Sequence, residues 1–272
     1  MSGLSISEIA NKLAQAGRLK IRPLCVHGSE KIPTGVAPST SVSSCVARAI
    51  FTLAMFEKTP PIYVAANMRE QCCAGGLAQF GFIEFNPGIK YFVSTGWKGF
   101  RNGAAEYLRA SPELVEENRK LMGKITPPGK YLVIQPCADF VNEDPGVRSI
   151  LCFGIAEQIR NLCSLVHFRS RDPFRDVLLP QGASCASFVS YAAGMVENAP
   201  ADAVFVGPCD PTGNSWFPPD HLSLAVPIRT ARRMSEDLEA SFIVKRPTVA
   251  YPQQRVIVRA AADAVLLASR RS

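Results

Sequence analysis

Histidine is scarce in this 272-residue chain: His27, His167 and His221 are the whole set. They form neither the His-Glu-x-x-His nor the His-x-Glu pattern by which zinc hydrolases and deaminases hold their metal, which excludes those classes. Charge is thin as well. Asp, Glu, Lys and Arg make up 19% of residues against 47% hydrophobic, a balance that argues against disorder and for a sizeable buried core. No apolar run reaches the ~20 residues of a membrane-spanning helix, the most apolar stretches being 183–196 and 260–269. The first residues, Met-Ser-Gly-Leu-Ser-Ile-Ser-Glu, carry no basic start, apolar segment or cleavage site, so a soluble, cytoplasmic protein is expected. A Walker loop, a dinucleotide fingerprint and a serine-hydrolase elbow are missing too, and Gly75-Gly76-Leu77 substitutes for none of them.

The net charge of +7 invites an anionic partner. Its basic clusters, Arg229 with Arg232 and Arg233 and then Arg270 with Arg271, are not interleaved with aromatics. Nucleic acid is therefore not an expected partner, and solvated helix faces account for the arginines.

What the chain does have is cysteine: nine, at 25, 45, 72, 73, 137, 152, 163, 185 and 209. An odd number scattered through a large apolar chain argues against a disulfide scaffold and for reduced thiols.

Periodicity places these thiols on elements. Ser5-Ile6-Ser7-Glu8 has capping-box spacing and opens an amphipathic helix through Leu13, with Gly17 as its stop. Residues 19–27 read as a strand, and a Gly/Pro-rich connection leads to a helix through Ala47, Ile50 and Leu53, with Ser43 or Ser44 as its cap. Further strands are predicted over 62–66, 91–94, 131–136, 149–153, 203–207 and 222–227. Helices are predicted over 101–108, 112–122, 155–166, 229–239 and from Cys185 to about Met195. The alternation predicts an α/β or α+β fold, a mixed β-sheet packed with helices in one domain over 1–272, ending in a helical extension over about 254–272.

Four cysteines stand out by setting. Cys45, Cys73 and Cys185 lie at predicted helix starts, where unpaired N–H groups favour a thiolate, and Cys209 lies in a turn-rich loop. Cys152 and Cys163 read as packing, Cys25 and Cys137 neighbour prolines, and Cys72 reads as flanking Cys73. The separations of 28, 112 and 24 residues match neither zinc-finger pairs nor a compact ferredoxin run. Any shared site has to be assembled by the fold. His221 or His27 is the available base for a Cys73 or Cys185 nucleophile. Asp139, Glu143 and Asp144 crowd one loop that reads as a solvated turn, while Asp210, Asn214, Trp216 and Asp220 could line a pocket.

The order of Pro23, Val26, Ile32-Pro33-x-Gly35, Cys45, Cys73-Ala-Gly-Gly-Leu-Ala-Gln-Phe80-Gly81-Phe82, Gly129-Lys130-Tyr131, Ala156-Glu157-Gln158, Cys185 and Cys209 resembles the bacterial and archaeal family called domain of unknown function 169, over about residues 13–240. The resemblance implies a single cytoplasmic domain and makes Cys45, Cys73, Cys185 and Cys209 the positions matching the family's characteristic cysteines. It implies no reaction. Members often carry a second cysteine and an arginine after the last of these, where this chain has Asp210-Pro211-Thr212-Gly213.

The leading expectation is a cysteine-ligated metal protein holding an iron–sulfur cluster, or else zinc, on Cys45, Cys73, Cys185 and Cys209, and acting on a small anionic metabolite. The alternatives are a metal-free thiol-dependent hydrolase or lyase using Cys73 or Cys185 with His221, and a non-catalytic small-molecule-binding protein. A homo-oligomer is compatible with each.

Overall fold

The computed structural model describes residues 4–140 and 146–246, so Glu143, Asp144 and the predicted helix of about 254–272 lie outside the described residues. The chain opens with α1 (Ile6–Gly17), whose cap is reciprocal. The Ser5 hydroxyl accepts from the Glu8 N–H at 3.2 Å, and the Glu8 carboxylate accepts from the Ser5 N–H at 2.7 Å. The helix runs through the predicted stop. Gly17 stays helical, and a Cβ on it would lie 3.0 Å from Leu162 Cδ1, so its bare Cα admits the neighbouring side chain. Arg18 makes the left-handed turn instead, at φ 53°.

There follow β1 (Leu24–Ser29), β2 (Ala37–Pro38), α2 (Val46–Met55), β3 (Ile62–Ala65), α3 (Ala74–Gln79), α4 (Ile89–Val93), α5 (Pro112–Met122), β4 (Tyr131–Pro136), β5 (Val147–Ile155), α6 (Ala156–Val166), β6 (Val177–Leu178), β7 (Val204–Gly207), β8 (His221–Pro227), α7 (Ile228–Asp237) and α8 (Phe242–Lys245). The strands form one mixed sheet in the order β2-β3-β4-β1-β5-β8-β7-β6. Only β2/β3 and β6/β7 are parallel; the other five pairings are antiparallel. This is the mixed, helix-packed α/β sheet expected from the sequence. Among the described residues no helix is long and apolar enough to cross a membrane.

Alternation along the strands splits the core in two. Cys25, Ile150, Cys152, Leu224 and Val226 pack with α1, α6 and α7 on one face. Leu24, Val26, Leu151, Phe153 and Ala225 pack with α2 and residues 185–196 on the other. Burial on both faces explains why the central strands read as continuous apolar runs.

Four sequence expectations need correction. The strand expected at 19–27 begins only at Leu24. Pro23 lacks an N–H for the sheet ladder, and Arg22 turns to the α2 end, donating to the carbonyls of Leu53 at 2.7 Å and Phe56 at 2.8 Å. Residues 91–94, predicted as a strand, lie in and just after α4; a short apolar run fits either period. Residues 101–108, predicted as a helix, make one tight turn and then run extended. The N–H groups of Glu106 and Leu108 donate to the carbonyls of Phe92 at 2.7 Å and Val93 at 3.0 Å. Arg101, Asn102 and Tyr107 have φ near +50°, outside the right-handed helical region. After Cys185 the chain makes a wide helical turn, Ala186–Ser190, in place of a regular helix to Met195.

Candidate functional site

A half-open cavity of about 600 Å³ lies between the sheet face carrying α2 and α3 and the segment carrying α4 and α5, a size typical of small-molecule sites. Neither α4 nor α5 has a buried residue. Their apolar side chains, including Ile89, Phe92, Leu121 and Met122, line the cavity instead. Cys45, Cys73 and Cys185 line it too. The fold thus brings together three of the four cysteines singled out by their helix-start or loop setting.

The local chain explains how. Cys45 is the N-cap residue of α2 and Cys73 that of α3. The Cys73 N–H donates to the Ser44 carbonyl at 2.8 Å, clamping the two helix starts together. A Cβ on Gly76 would lie 3.0 Å from Cys73 Sγ and 3.1 Å from Val46 Cγ2. The glycine therefore lets the first turn of α3 close around the sulfur.

The predicted serine caps of α2 are displaced. Ser43 Oγ accepts from the Cys45 N–H at 3.1 Å, and no side chain makes an ordinary cap hydrogen bond to the helix. Its first three amides serve sulfur instead: those of Val46, Ala47 and Arg48 favour negative charge on Cys73, Cys185 and Cys45 respectively.

The charge settles on one sulfur. Hydrogen bonds from the Cys45 and Cys72 thiols hold Cys73 far below the ordinary thiol range, against the effect of burial, and the amides of Val46 and Gly76 add to the shift. Cys45 and Cys72 are pushed up, first by their hydrogen bonds to Cys73 and then by burial. Cys185 is pushed up by burial, then by the charges of Cys73 and Asp210. Neighbouring sulfurs in a poorly hydrated site cannot all ionise. Cys73 is the sulfur of the group held toward the thiolate.

Asp210 lines the same cavity. Its carboxylate accepts from the Ser184 N–H at 3.1 Å and the Ser184 hydroxyl at 2.6 Å. Burial raises its pKa, opposed by its hydrogen bonds from Ser184 and Asn214. Asn214 lines the cavity as well. Trp216 and Asp220 do not: Trp216 packs tilted against Phe51 and edge-on to Phe217, and Asp220 lies 2.7 Å from His221 Nδ1.

The remaining candidates stand apart from the cavity. Cys209 does not line it and is pushed up by burial and by Asp210. None of the three histidines lines it either, and His27 is buried edge-on against Phe140.

Sequence reasoning missed Cys72, whose thiol contact with Cys73 was hidden by its reading as a mere neighbour. It also missed Arg101, Arg109 and Arg119, which line the cavity. Nothing in their spacing marks the first two, because the segment carrying them, predicted as a helix, takes up a backbone of neither helical nor strand period.

An all-sulfur donor set suits soft metals. The arrangement is less suited: among the described residues no three His, Cys, Asp or Glu side chains are placed to hold a metal ion. As they stand, Cys45 and Cys72 are pushed toward the neutral thiol while Cys73 is held toward the thiolate.

Searches of curated proteins and of solved structures found no match. The family model of DUF169, described as Uncharacterised ArCR, matches residues 12–237 and so takes in every cavity-lining residue named above. The chain belongs to the DUF169 family.

Proposed function

We propose that this protein is a thiol-dependent enzyme that binds a small organic molecule in the cavity and attacks its electrophilic carbon with the Cys73 thiolate. One observation carries the reading: a cavity-wall sulfur whose negative charge is stabilised by two neutral thiols and by amides from the first turns of two helices. A thiol already ionised at neutral pH needs no separate base, which suits a cavity without histidine. Strong stabilisation tempers its nucleophilicity but makes it a good leaving group in the second step.

In an acyl transfer, the Cys73 sulfur bonds to the acyl carbon while the bond to the leaving group breaks. The leaving group takes its proton from solvent. Water then attacks the thioester carbon, the Asp210 carboxylate, its basicity raised by burial, takes the proton that the water loses and passes it to solvent, and the C–S bond breaks to restore the thiolate. Incubation with small activated esters and thioesters, followed by intact-mass and peptide analysis, tests the scheme. An adduct on Cys73 that is abolished by Cys73→Ser and turns over more slowly in Asp210→Asn is expected. Equal acylation of wild type and Cys73→Ser would contradict it.

The sulfur cluster favours one alternative, a soft metal ion or an iron–sulfur cluster on Cys45, Cys73 and Cys185 with Cys72 at hand. A cation would let thiols that now share one charge ionise together, after side-chain rotation. Anaerobic purification with metal and acid-labile sulfide analysis separates the readings. Stoichiometric metal in wild type that is lost from Cys73→Ser would favour the metal.

A further inference from the structure

We infer that Arg109, with Arg101 on the same segment, forms an anion subsite in this cavity, and that its ligand is an organic anion: an apolar body ending in a carboxylate or a phosphate monoester. The inference deepens the thiol-dependent reading and rests on it for the role of Cys73.

Three arginines line the cavity, but their charges are not equally free. Arg119 is paired with Glu116 at 2.6 Å. Among the described residues neither Arg101 nor Arg109 forms an ion pair. Arg109 Nη2 donates to Asn118 Oδ1, while its Nε is buried with no hydrogen-bond partner. A guanidinium does not shed its proton in a protein. Set among apolar walls, it is completed by an anion.

Arg101 is held differently. Its guanidinium lies 4.2 Å from the Phe92 ring centroid, and its backbone takes the left-handed conformation at φ 50°. Such strain in a non-glycine residue concentrates where a site needs a fixed side chain.

The cavity's own anions limit where the ligand's charge can sit. Asp210 and the Cys73 thiolate belong to the wall formed by the sheet side, and Glu106 lies on the arginine segment without pairing to either arginine. A ligand anion is repelled from the thiolate and drawn to the guanidinium groups. Ile89, Phe92, Leu108, Met122 and Phe205 are there to cover an apolar body. The reactive end is then left for Cys73.

Titration calorimetry with octanoate, octyl phosphate and neutral octanamide tests the subsite without requiring any reaction. At least one anion is expected to bind about tenfold or more tightly than octanamide, the scale of a charge-assisted hydrogen bond; the tighter of the two identifies the end group. Arg109→Gln is expected to abolish the preference and Arg109→Lys to restore part of it. If Arg109→Gln fails to melt cooperatively, Asn118→Ala, which releases Nη2, is expected to weaken anion binding instead. Octanamide binding as tightly as both anions, or a folded Arg109→Gln with wild-type anion affinity, would overturn the inference. Cys73→Ser is expected to keep the anion preference, so failed acyl transfer at Cys73 and a failed anion subsite give different results.

Discussion

Two groups of cysteines lie on opposite faces of one sheet. Cys25, Cys137 and Cys152 are shut between the strands and α1, with at most 1% of their surface exposed. Cys45, Cys73 and Cys185 line a cavity on the other face, with Cys72 in contact behind them. Both groups include thiols that hydrogen-bond one another, Cys137 with Cys25 and Cys45 with Cys73. On the closed face desolvation dominates: burial pushes Cys137 well up and Cys152 up to about 12. On the open face helix-start amides and thiol donors overcome desolvation at one sulfur, Cys73. Contact between thiols alone therefore does not favour a thiolate; at Cys73 the thiol donors act together with helix-start N–H donors.

The largest test of that difference is native-state alkylation with iodoacetamide, read residue by residue by mass spectrometry. Cys73 is expected to react at least about a hundredfold faster than Cys137 or Cys152, which become available only through opening of the fold. Comparable native rates would erase the distinction.

Substitution should separate the faces in the other direction. Cys152→Ser places a hydroxyl where no partner waits and is expected to cost about 1–3 kcal/mol in urea unfolding. Cys73→Ser, on a cavity wall, is expected to change stability by less than about 1 kcal/mol when the two are compared in acid, where the linked contribution of the thiolate is gone. A reversed order would mean that the cavity cysteines are the structural ones.

The pH dependence of stability should carry opposite signs. Cys73 is depressed in the fold, so its contribution is complete above the ordinary thiol pKa of about 8.5 and declines as pH falls toward its folded value. Cys152 is raised, so its contribution is complete below about 8.5 and declines as pH rises toward its folded value. Unfolding of Cys73→Ser should therefore lose part of the acid-side slope, and Cys152→Ala part of the alkaline-side slope. The same slopes in both variants as in wild type would refute the two assignments.

The smallest expected effect comes from adjacent glycines. Gly76→Ala is expected to raise the Cys73 pKa by about one unit as the Gly76 N–H is pushed from the sulfur. Gly75→Ala should leave it unchanged, since a Cβ there meets nothing within 4 Å. Following the rate of Cys73 alkylation across acid pH measures both.

Much of this architecture is legible in the residues. The Ser5 capping box, Ser111-Pro112-Glu113 at the start of α5, and the apolar runs of β4, β5 and β8 are local signals, and the fold uses them directly. Helix starts also pointed to Cys45, Cys73 and Cys185. What local pattern cannot carry is convergence: the Cys73 N–H bonded to the Ser44 carbonyl spans a separation that no periodicity encodes. The segment around Arg101 and Arg109 was least legible, because left-handed turns at non-glycine residues and pairing to the end of a short helix leave no periodic trace.

The most direct test of the Cys73 thiolate is an acid titration of the ultraviolet thiolate band in wild type and Cys73→Ser. The account predicts a band of one thiolate in wild type at neutral pH, lost only well into the acid range and absent from Cys73→Ser. A wild-type protein with no thiolate band at neutral pH, or one that Cys73→Ser retains, would contradict it.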